Sequence, residues 1–135
     1  MQRPLVTYTS DEAPREVLEL AGLLVPRLLA GDHPQLKTLR AQYERASIAS
    51  VEYDGVGFFV NYTVRDEMPK TVPANLTGGD ARITVAGMGA PAGCVLFVRD
   101  GRLEMLDIYS FVDAWPLDAE VVAVDDIIPL SVGEA

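Results

Sequence analysis

The sequence predicts an α+β fold in which two amino-terminal helices pack on one face of a mostly antiparallel sheet of five or six strands. Two observations predict this class. Apolar residues recur at helical spacing up to residue 46 and alternate with a period of two from residue 47 onward. The dipeptide Asp100-Gly101 lies between two strand-like runs, which is a strong short-range signal for a β-hairpin. The chain has 135 residues, so we expect residues 1–135 to form a single domain.

The first helix is predicted by apolar residues at intervals of three and four, which would face the sheet: Val17, Leu20, Ala21, Leu24, Val25 and Leu28. Ser10 or Asp11 is expected to cap its start, and Gly31 is expected to follow its end. Pro26 lacks the N–H group that a helix interior needs, so it should kink the helix near Gly22 or split the segment in two.

The second helix is expected to begin in the segment Asp32-His33-Pro34-Gln35. Asp32 would be the N-cap and Gln35 would complete a capping box, while Pro34 suits the first turn. The apolar stripe of this helix is narrow and consists of Leu36, Leu39, Tyr43 and Ala46. His33 is the only histidine, and at a helix start we expect a surface or cap-adjacent residue rather than a catalytic one.

Six segments have the residue pattern of strands: 48–53, 56–65, 81–87, 94–98, 103–110 and 120–124. The second segment has one fully apolar face, which should meet the helices. The fourth is apolar on both faces, which is typical of a central strand. Residues 65–80 contain two prolines and two glycines without a sustained period, and they predict a long loop.

The strand at 103–110 carries an acid on each of its faces. Strict alternation groups Asp107 with Met105 and Tyr109, and it groups Glu104 with Leu106. Either a bulge near Met105 shifts the alternation, or one carboxylate lies at the solvated rim of the sheet. Asp107 is far from the turn and needs a partner, which is an arginine, a backbone or hydroxyl donor, or a bound ligand. A structural ion pair is expected, and a functional carboxylate is the alternative.

The formal net charge of −9 is concentrated in the last part of the chain. Residues 100–135 contain nine acids and one base, whereas residues 1–99 are nearly balanced. A negative field of this kind repels phosphate backbones, so neither nucleic acid nor an anionic membrane is expected as a partner. The charge would favour a basic protein partner or metal cations, but solubility alone is the preferred explanation of it.

Few residues are available for catalysis or for holding a cofactor. The single cysteine, Cys94, lies in an apolar run and is expected to be buried, and we find no motif for a metal, a phosphate or a nucleotide. We therefore assign no catalytic residue, no metal site and no cofactor. The amino-terminal residues lack a signal-peptide pattern, and no apolar run is long enough to span a bilayer, so we expect a cytoplasmic location.

The best candidate for a binding surface combines aromatic residues with nearby acids. It consists of Asp107, Tyr109, Asp113, Trp115 and Asp118. For Trp115 itself, a loop aromatic that closes one end of the core is the preferred interpretation, and a binding hot spot is the alternative.

The segment GCVLFVRDGRLEMLDIYSF, followed by Trp115-Pro116, resembles the carboxy-terminal signature of a family of small uncharacterised bacterial proteins. In that family an apolar strand, an Asp-Gly turn and a strand of the form LxxLExY recur, and this chain has Asp107 where the family usually has Glu. Some similar proteins are immunity proteins of polymorphic toxin systems. The resemblance implies a shared fold, and it makes an immunity-type inhibitor an expectation.

Three functions remain open from the sequence. The first is a non-catalytic protein-binding module, of which an immunity-type inhibitor is one form, and it ranks first because the residues available for catalysis are few. The second is a small-molecule-binding protein or a carboxylate-dependent enzyme with a pocket around Asp107. The third is a homodimeric interaction protein that associates through an exposed sheet edge or face.

Overall fold

The computed structural model describes residues 6–111 and 114–132. These residues form an α+β fold with two helices and an eight-stranded antiparallel sheet, so the predicted class is confirmed and the predicted count of five or six strands is wrong. In chain order the elements are β1 (Val6–Tyr8), α1 (Arg15–Leu28), α2 (Pro34–Arg45), β2 (Ser47–Tyr53), β3 (Gly57–Thr63), β4 (Leu76–Gly78), β5 (Asp80–Val85), β6 (Ala92–Arg99), β7 (Arg102–Ser110) and β8 (Val121–Ile128).

The sheet has the strand order β1-β2-β3-β7-β6-β5-β8, and β4 pairs with β6 beside this path. The two strands that the sequence did not predict are β1 and β4, each of three residues. Such a strand is too short to show an alternating pattern, and its conformation is set by pairing with β2 or β6. The hairpin of β6 and β7 lies near the centre of the sheet.

The hydrophobic core lies between the two helices and one face of the sheet. All six apolar residues of α1 that the sequence predicted to face the sheet are buried. They belong to one cluster with inward-facing strand residues, among them Val51, Phe58, Val60, Ile83, Leu96, Leu106 and Ile108. The apolar face predicted for β3 therefore does meet the helices.

The start of α1 differs from the prediction. Pro14 is the N-cap, so neither Ser10 nor Asp11 caps the helix. The reason is a separate turn before the helix, in which two backbone N–H groups donate to the Thr9 carbonyl. Pro26 lies in the last turn of α1 and does not split it. Among the described residues, no helix is both long enough and apolar enough to cross a lipid bilayer.

The N-cap of α2 is His33 rather than Asp32. The Nδ1 atom of His33 accepts a hydrogen bond from the Gln35 N–H at 3.1 Å. Because a residue before proline is restricted to extended backbone, the residue preceding Pro34 is the last non-helical one. Gln35 does not complete the predicted capping box, since its Oε1 accepts the Val72 N–H at 2.8 Å and anchors the loop before β4.

The hairpin turn between β6 and β7 is confirmed. Asp100 and Gly101 have φ angles of 53° and 77°, positive at both central positions as a type I′ turn requires. Gln42 of α2 is fully buried beside this turn, and its amide group donates to the carbonyls of Pro69 and Gly101 at 2.8 Å each. Its Oε1 accepts the Leu103 N–H at 2.9 Å. One side chain thereby joins a helix, the loop before β4 and the hairpin.

A bulge in β7 decides which of its side chains face the core. Met105 pairs with Phe97, whereas Leu103 pairs with the next residue of β6, so Glu104 has no opposing residue. This bulge is one of the two alternatives that the sequence predicted. After the bulge, Asp107 lies on the face of the sheet opposite to the helices.

Candidate functional site

The face of the sheet opposite to the helices is exposed, and we call it the open face. Residues directly opposite one another in antiparallel strands point to the same face, so the register assigns the members of this face row by row. They are Ser50 and Glu52 of β2, Phe59 and Asn61 of β3, Val95 and Phe97 of β6, and Met105, Asp107 and Tyr109 of β7. The open face thus spans four neighbouring strands.

The open face lies outside the hydrophobic core. All of its members are partly exposed. Its apolar members are Phe59, Val95, Phe97, Met105 and Tyr109, and none of them belongs to the core or packs against it. Because a contiguous group of apolar side chains that solvent reaches is a common feature of interaction surfaces, this partly exposed face is the best candidate for a functional site.

Asp107 lies at the centre of the open face, between Phe59 of β3 and Val95 of β6. Among the described residues its carboxylate has neither a hydrogen bond nor an ion pair, so the structural ion pair that the sequence led us to expect is not formed. The ion pairs of the described residues lie elsewhere and join Arg15 to Glu19, Arg65 to Glu67, Arg99 to Glu104 and Arg102 to Asp66.

The surroundings of Asp107 disfavour its charged form. Partial burial raises the pKa of the Asp107 carboxyl to about 6, and the nearby charge of Asp54 adds to the increase. Burial is the larger cause, because a carboxylate beside apolar side chains loses part of its hydration. A cation placed beside this carboxylate would therefore gain more than it would beside a fully hydrated acid.

Three further acids lie on or beside the open face, and each has a hydrogen bond within the chain. Glu52 accepts from the Asn61 side-chain amide at 2.8 Å. Asp54 accepts from two backbone N–H groups of the β2–β3 turn at 2.9 and 3.0 Å. Asp80 accepts a backbone N–H at 2.8 Å. In this group only Asp107 lacks such a bond to another described residue.

Tyr109 lies between two glycines, Gly57 of β3 and Gly93 of β6. A Cβ atom at Gly93 would be 3.3 Å from the ring atoms of Tyr109, so the ring lies over this glycine. Phe111 contacts the ring edge-on at a centroid distance of 5.2 Å and is 69% exposed. Burial is the main cause that raises the pKa of Tyr109. Tyr109 and Phe111 therefore extend the aromatic part of the open face.

Trp115 lies in the core. It is only 2% exposed, and its ring meets Phe58 edge-to-face at a centroid distance of 5.7 Å. The backbone N–H of Trp115 donates to the Gly55 carbonyl at 2.9 Å. The backbone carbonyl of Trp115 accepts a hydrogen bond from the Tyr53 hydroxyl at 2.5 Å. These contacts match the preferred interpretation, in which Trp115 closes one end of the core, and its side chain is not available to a partner in this structure.

The predicted binding surface is therefore only partly assembled. Asp107 and Tyr109 lie together on the open face, whereas Trp115 is buried. Asp118 is exposed in the turn before β8. Asp113 lies outside the described residues.

The open-face residues of β3 and β6 were not identified from the sequence. This group includes Phe59, Val95 and Phe97. For Val95 and Phe97 the sequence did contain a signal. The fourth predicted strand is apolar on both faces, which we interpreted as typical of a central strand. β6 is indeed central, but Val95 and Phe97 are partly exposed.

Other candidate chemistry is sparse in the described part of the chain. Residues 6–111 and 114–132 contain no group of three or more His, Cys, Asp or Glu side chains that could hold a metal ion. Cys94 is buried, and burial raises the pKa of its thiol to about 12, so it remains protonated. Asp107 lines none of four surface clefts of about 240, 330, 350 and 150 Å³.

Comparisons of this chain with protein-family models, with curated proteins and with solved structures found no match. The resemblance of residues 93–111 to a family of small bacterial proteins therefore stays a prediction. The chemistry of the open face is the basis on which a function is proposed.

Proposed function

We propose that this protein is a non-catalytic protein-binding module of the cytoplasm whose open face docks a basic protein partner, as an immunity-type inhibitor would. The observation that carries this proposal is an uncovered sheet face with apolar side chains around a carboxylate that has no partner among the described residues. Charged residues are depleted at the centres of protein interfaces, so an acid at the centre of this face requires a group of opposite charge on the partner.

The charge of this region supports a basic partner. Glu52 and Asp107 lie on the open face, and Asp54 lies beside it. On β5 the exposed residues alternate with buried ones and include Asp80 and Arg82. Arg99 and Arg102 follow Phe97 and face the same side, and they pair with Glu104 and Asp66. With these two pairs included, acids outnumber bases in this region by six to three. A negative surface accelerates the encounter with a positively charged partner and disfavours acidic ones.

A second copy of the chain fits this surface less well. Two open faces packed together would bring two Asp107 carboxylates into one apolar interface, which costs free energy. The long edge strand β8 has two register shifts against β5, and Asp126 has a φ of 50°. Bulges and acids at an edge oppose pairing with another strand. These features favour a different protein over a homodimer.

A retention experiment tests the proposal. The full chain, its Asp107→Lys variant and its Asp118→Lys variant are immobilised and exposed to a lysate of the source cells, and the retained proteins are quantified by mass spectrometry. Asp118 is a matched control because it is an exposed acid away from the open face. Thermal unfolding of each variant confirms that the fold is intact. If Asp107→Lys does not fold, Phe97→Asp replaces it as the open-face variant.

The expected result is a basic protein that is retained by the unmodified chain and by Asp118→Lys but not by the open-face variant. Raising the salt concentration from about 50 to 300 mM should weaken its binding by roughly tenfold, because charge contributes to association. Equal retention by all three chains would contradict the proposal, as would binding that does not change with ionic strength.

A further inference from the structure

Asp107 differs from the neighbouring acids in having no hydrogen-bond donor within the described chain. Glu52, Asp54 and Asp80 each accept at least one hydrogen bond at 2.8–3.0 Å. An unpaired, partly desolvated carboxylate is unfavourable, and a donor supplied by another molecule would offset that cost. The missing donor is therefore expected to come from the molecule that docks on the open face.

The neighbours of Asp107 restrict the kind of donor. Phe59 is directly opposite on β3, Val95 is directly opposite on β6, and Tyr109 and Met105 are the next residues on the same side of β7. A cation beside a carboxylate gains further stabilisation from an aromatic ring, whereas a neutral donor gains little. The described residues offer no group of three acidic or metal-ligating side chains, so a divalent cation would not find enough oxygen ligands.

An arginine side chain fits these surroundings better than a lysine side chain. Its guanidinium group is planar, donates two parallel hydrogen bonds to a carboxylate and packs flat against aromatic rings. It is also more weakly hydrated than an ammonium group, so it loses less on entering a partly buried apolar surface. Asp107 is partly exposed, so its side chain can be reached from the solvent side of the sheet.

We propose that the open face recognises an arginine side chain of the basic partner, whose guanidinium pairs with the Asp107 carboxylate and lies against the rings of Phe59 and Tyr109. This inference rests on the proposed function, and it names the group that the open face binds. Arginine binding here requires Asp107 in its charged form and the aromatic residues beside it.

Peptides of defined chemistry test this inference. Octa-arginine, octa-lysine and octa-citrulline are titrated into the isotopically labelled full chain at low salt, and the resonances of the open face are followed by NMR. The same titrations are made with Asp107→Asn and with Asp118→Asn, each of which removes one negative charge. Phe59→Leu tests the aromatic contribution while keeping an apolar side chain.

The inference predicts that octa-arginine shifts the resonances of Asp107, Phe59 and Tyr109 and binds at least about threefold more tightly than octa-lysine. Octa-citrulline should cause no shift. Asp107→Asn should weaken octa-arginine binding at least about fivefold, Asp118→Asn less than about twofold, and Phe59→Leu should reduce the preference for arginine over lysine.

Two results would overturn the inference, and they differ from a failure of the proposed function. Equal affinity for octa-arginine and octa-lysine at the open face, or equal effects of Asp107→Asn and Asp118→Asn, would eliminate arginine recognition while leaving a basic partner in place. If neither cationic peptide perturbs the open face, the proposed function fails together with the inference.

Discussion

Two polar side chains in this protein, Gln42 and Asp107, lie in apolar surroundings, and they differ in how the fold treats them. Gln42 is fully buried and forms three hydrogen bonds of 2.8–2.9 Å to groups in the loop before β4 and in the β6–β7 hairpin. Asp107 is half-buried and forms none within the described residues. A polar group that the fold satisfies is part of the architecture. One that the fold leaves unpaired on a partly exposed face is available to another molecule.

The covered and open faces can be compared at adjacent residues of β3. Phe58 is 1% exposed in the core, and Phe59 points to the open face. We expect Phe58→Ala to reduce the free energy of unfolding by about 4 kcal/mol, because it leaves a cavity among packed side chains. Phe59→Ala should reduce it by about 1 kcal/mol or less, because the side chain is outside the core. Urea unfolding measures both, and equal losses would mean that the open face is packed as the core is.

The contribution of the buried hydrogen bonds of Gln42 to stability can be measured by replacing this residue. We expect Gln42→Met to reduce the free energy of unfolding by about 3 kcal/mol, since a side chain of similar size would leave the Pro69 carbonyl and the Leu103 N–H without the partner that Gln42 supplies, and the Gly101 carbonyl with the Thr71 N–H alone. Gln35→Met is the matched control on the same helix. It removes one hydrogen bond at a partly exposed position and should cost about 1 kcal/mol or less. A similar small loss at Gln42 would show that the buried network contributes little.

The packing of the β6–β7 turn against the loop before β4 is tested by replacing Gly101 in the turn and comparing it with Gly87, a glycine outside the turn. Gly101 and Gly87 have φ angles of 77° and 83°, which strain any other residue. A Cβ at Gly101 would lie 2.5 Å from the Lys70 Cβ, whereas a Cβ at Gly87 would have nothing within 4 Å. We expect Gly101→Ala to cost about 2 kcal/mol and Gly87→Ala about 1 kcal/mol. Equal costs would indicate that the turn is not held tightly against the loop.

The cost of the unpaired Asp107 charge to the stability of the fold is tested by Asp107→Asn. The pKa of Asp107 is raised in the folded state, so above about pH 6 its charge destabilises the fold. The effect ends below its ordinary pKa of 3.8, where the carboxyl is protonated in both the folded and the unfolded state. With allowance for its exposure to solvent, we expect the variant to be about 1 kcal/mol more stable than the unmodified chain near pH 7.5. The difference should disappear near pH 3.5. Urea unfolding at both pH values measures it, and a loss of stability near pH 7.5 would indicate a partner within the chain.

The features that the sequence predicted correctly depend on neighbours along the chain. The apolar spacing of α1 and the positive φ angles at Asp100-Gly101 follow from residues within a few positions of one another. The bulge near Met105 was one of two alternatives that the local pattern left open. The cap of α2 was misassigned by one residue, because the restriction that Pro34 places on His33 was not considered.

The features that were missed depend on distant parts of the chain. Gln42 lies between two residues of the predicted apolar stripe, but its partners are 27 to 61 residues away in sequence, so nothing nearby indicated that it would be buried. β1 and β4 are strands only because a neighbouring strand pairs with them.

The candidate site was predicted in part for the same reason. Alternation identified Asp107 and Tyr109 as neighbours on one face, since both belong to β7. The contribution of Phe59 required the pairing of β3 with β7, which local sequence does not specify. Trp115 was chosen for its aromatic character, and its burial against Phe58 depends on a tertiary contact.

The carboxyl of Asp107 is the group on which the whole account depends, and its ionisation can be measured directly. Carbon-13 NMR of the labelled full chain, titrated across about pH 3 to 8, reports the pKa of this side chain in the absence of any partner. We expect a pKa of about 6, because the open face holds the carboxylate partly buried and unpaired. A pKa at or below its ordinary value of 3.8 would contradict the account, since it would place a donor or a cation of the chain itself beside Asp107.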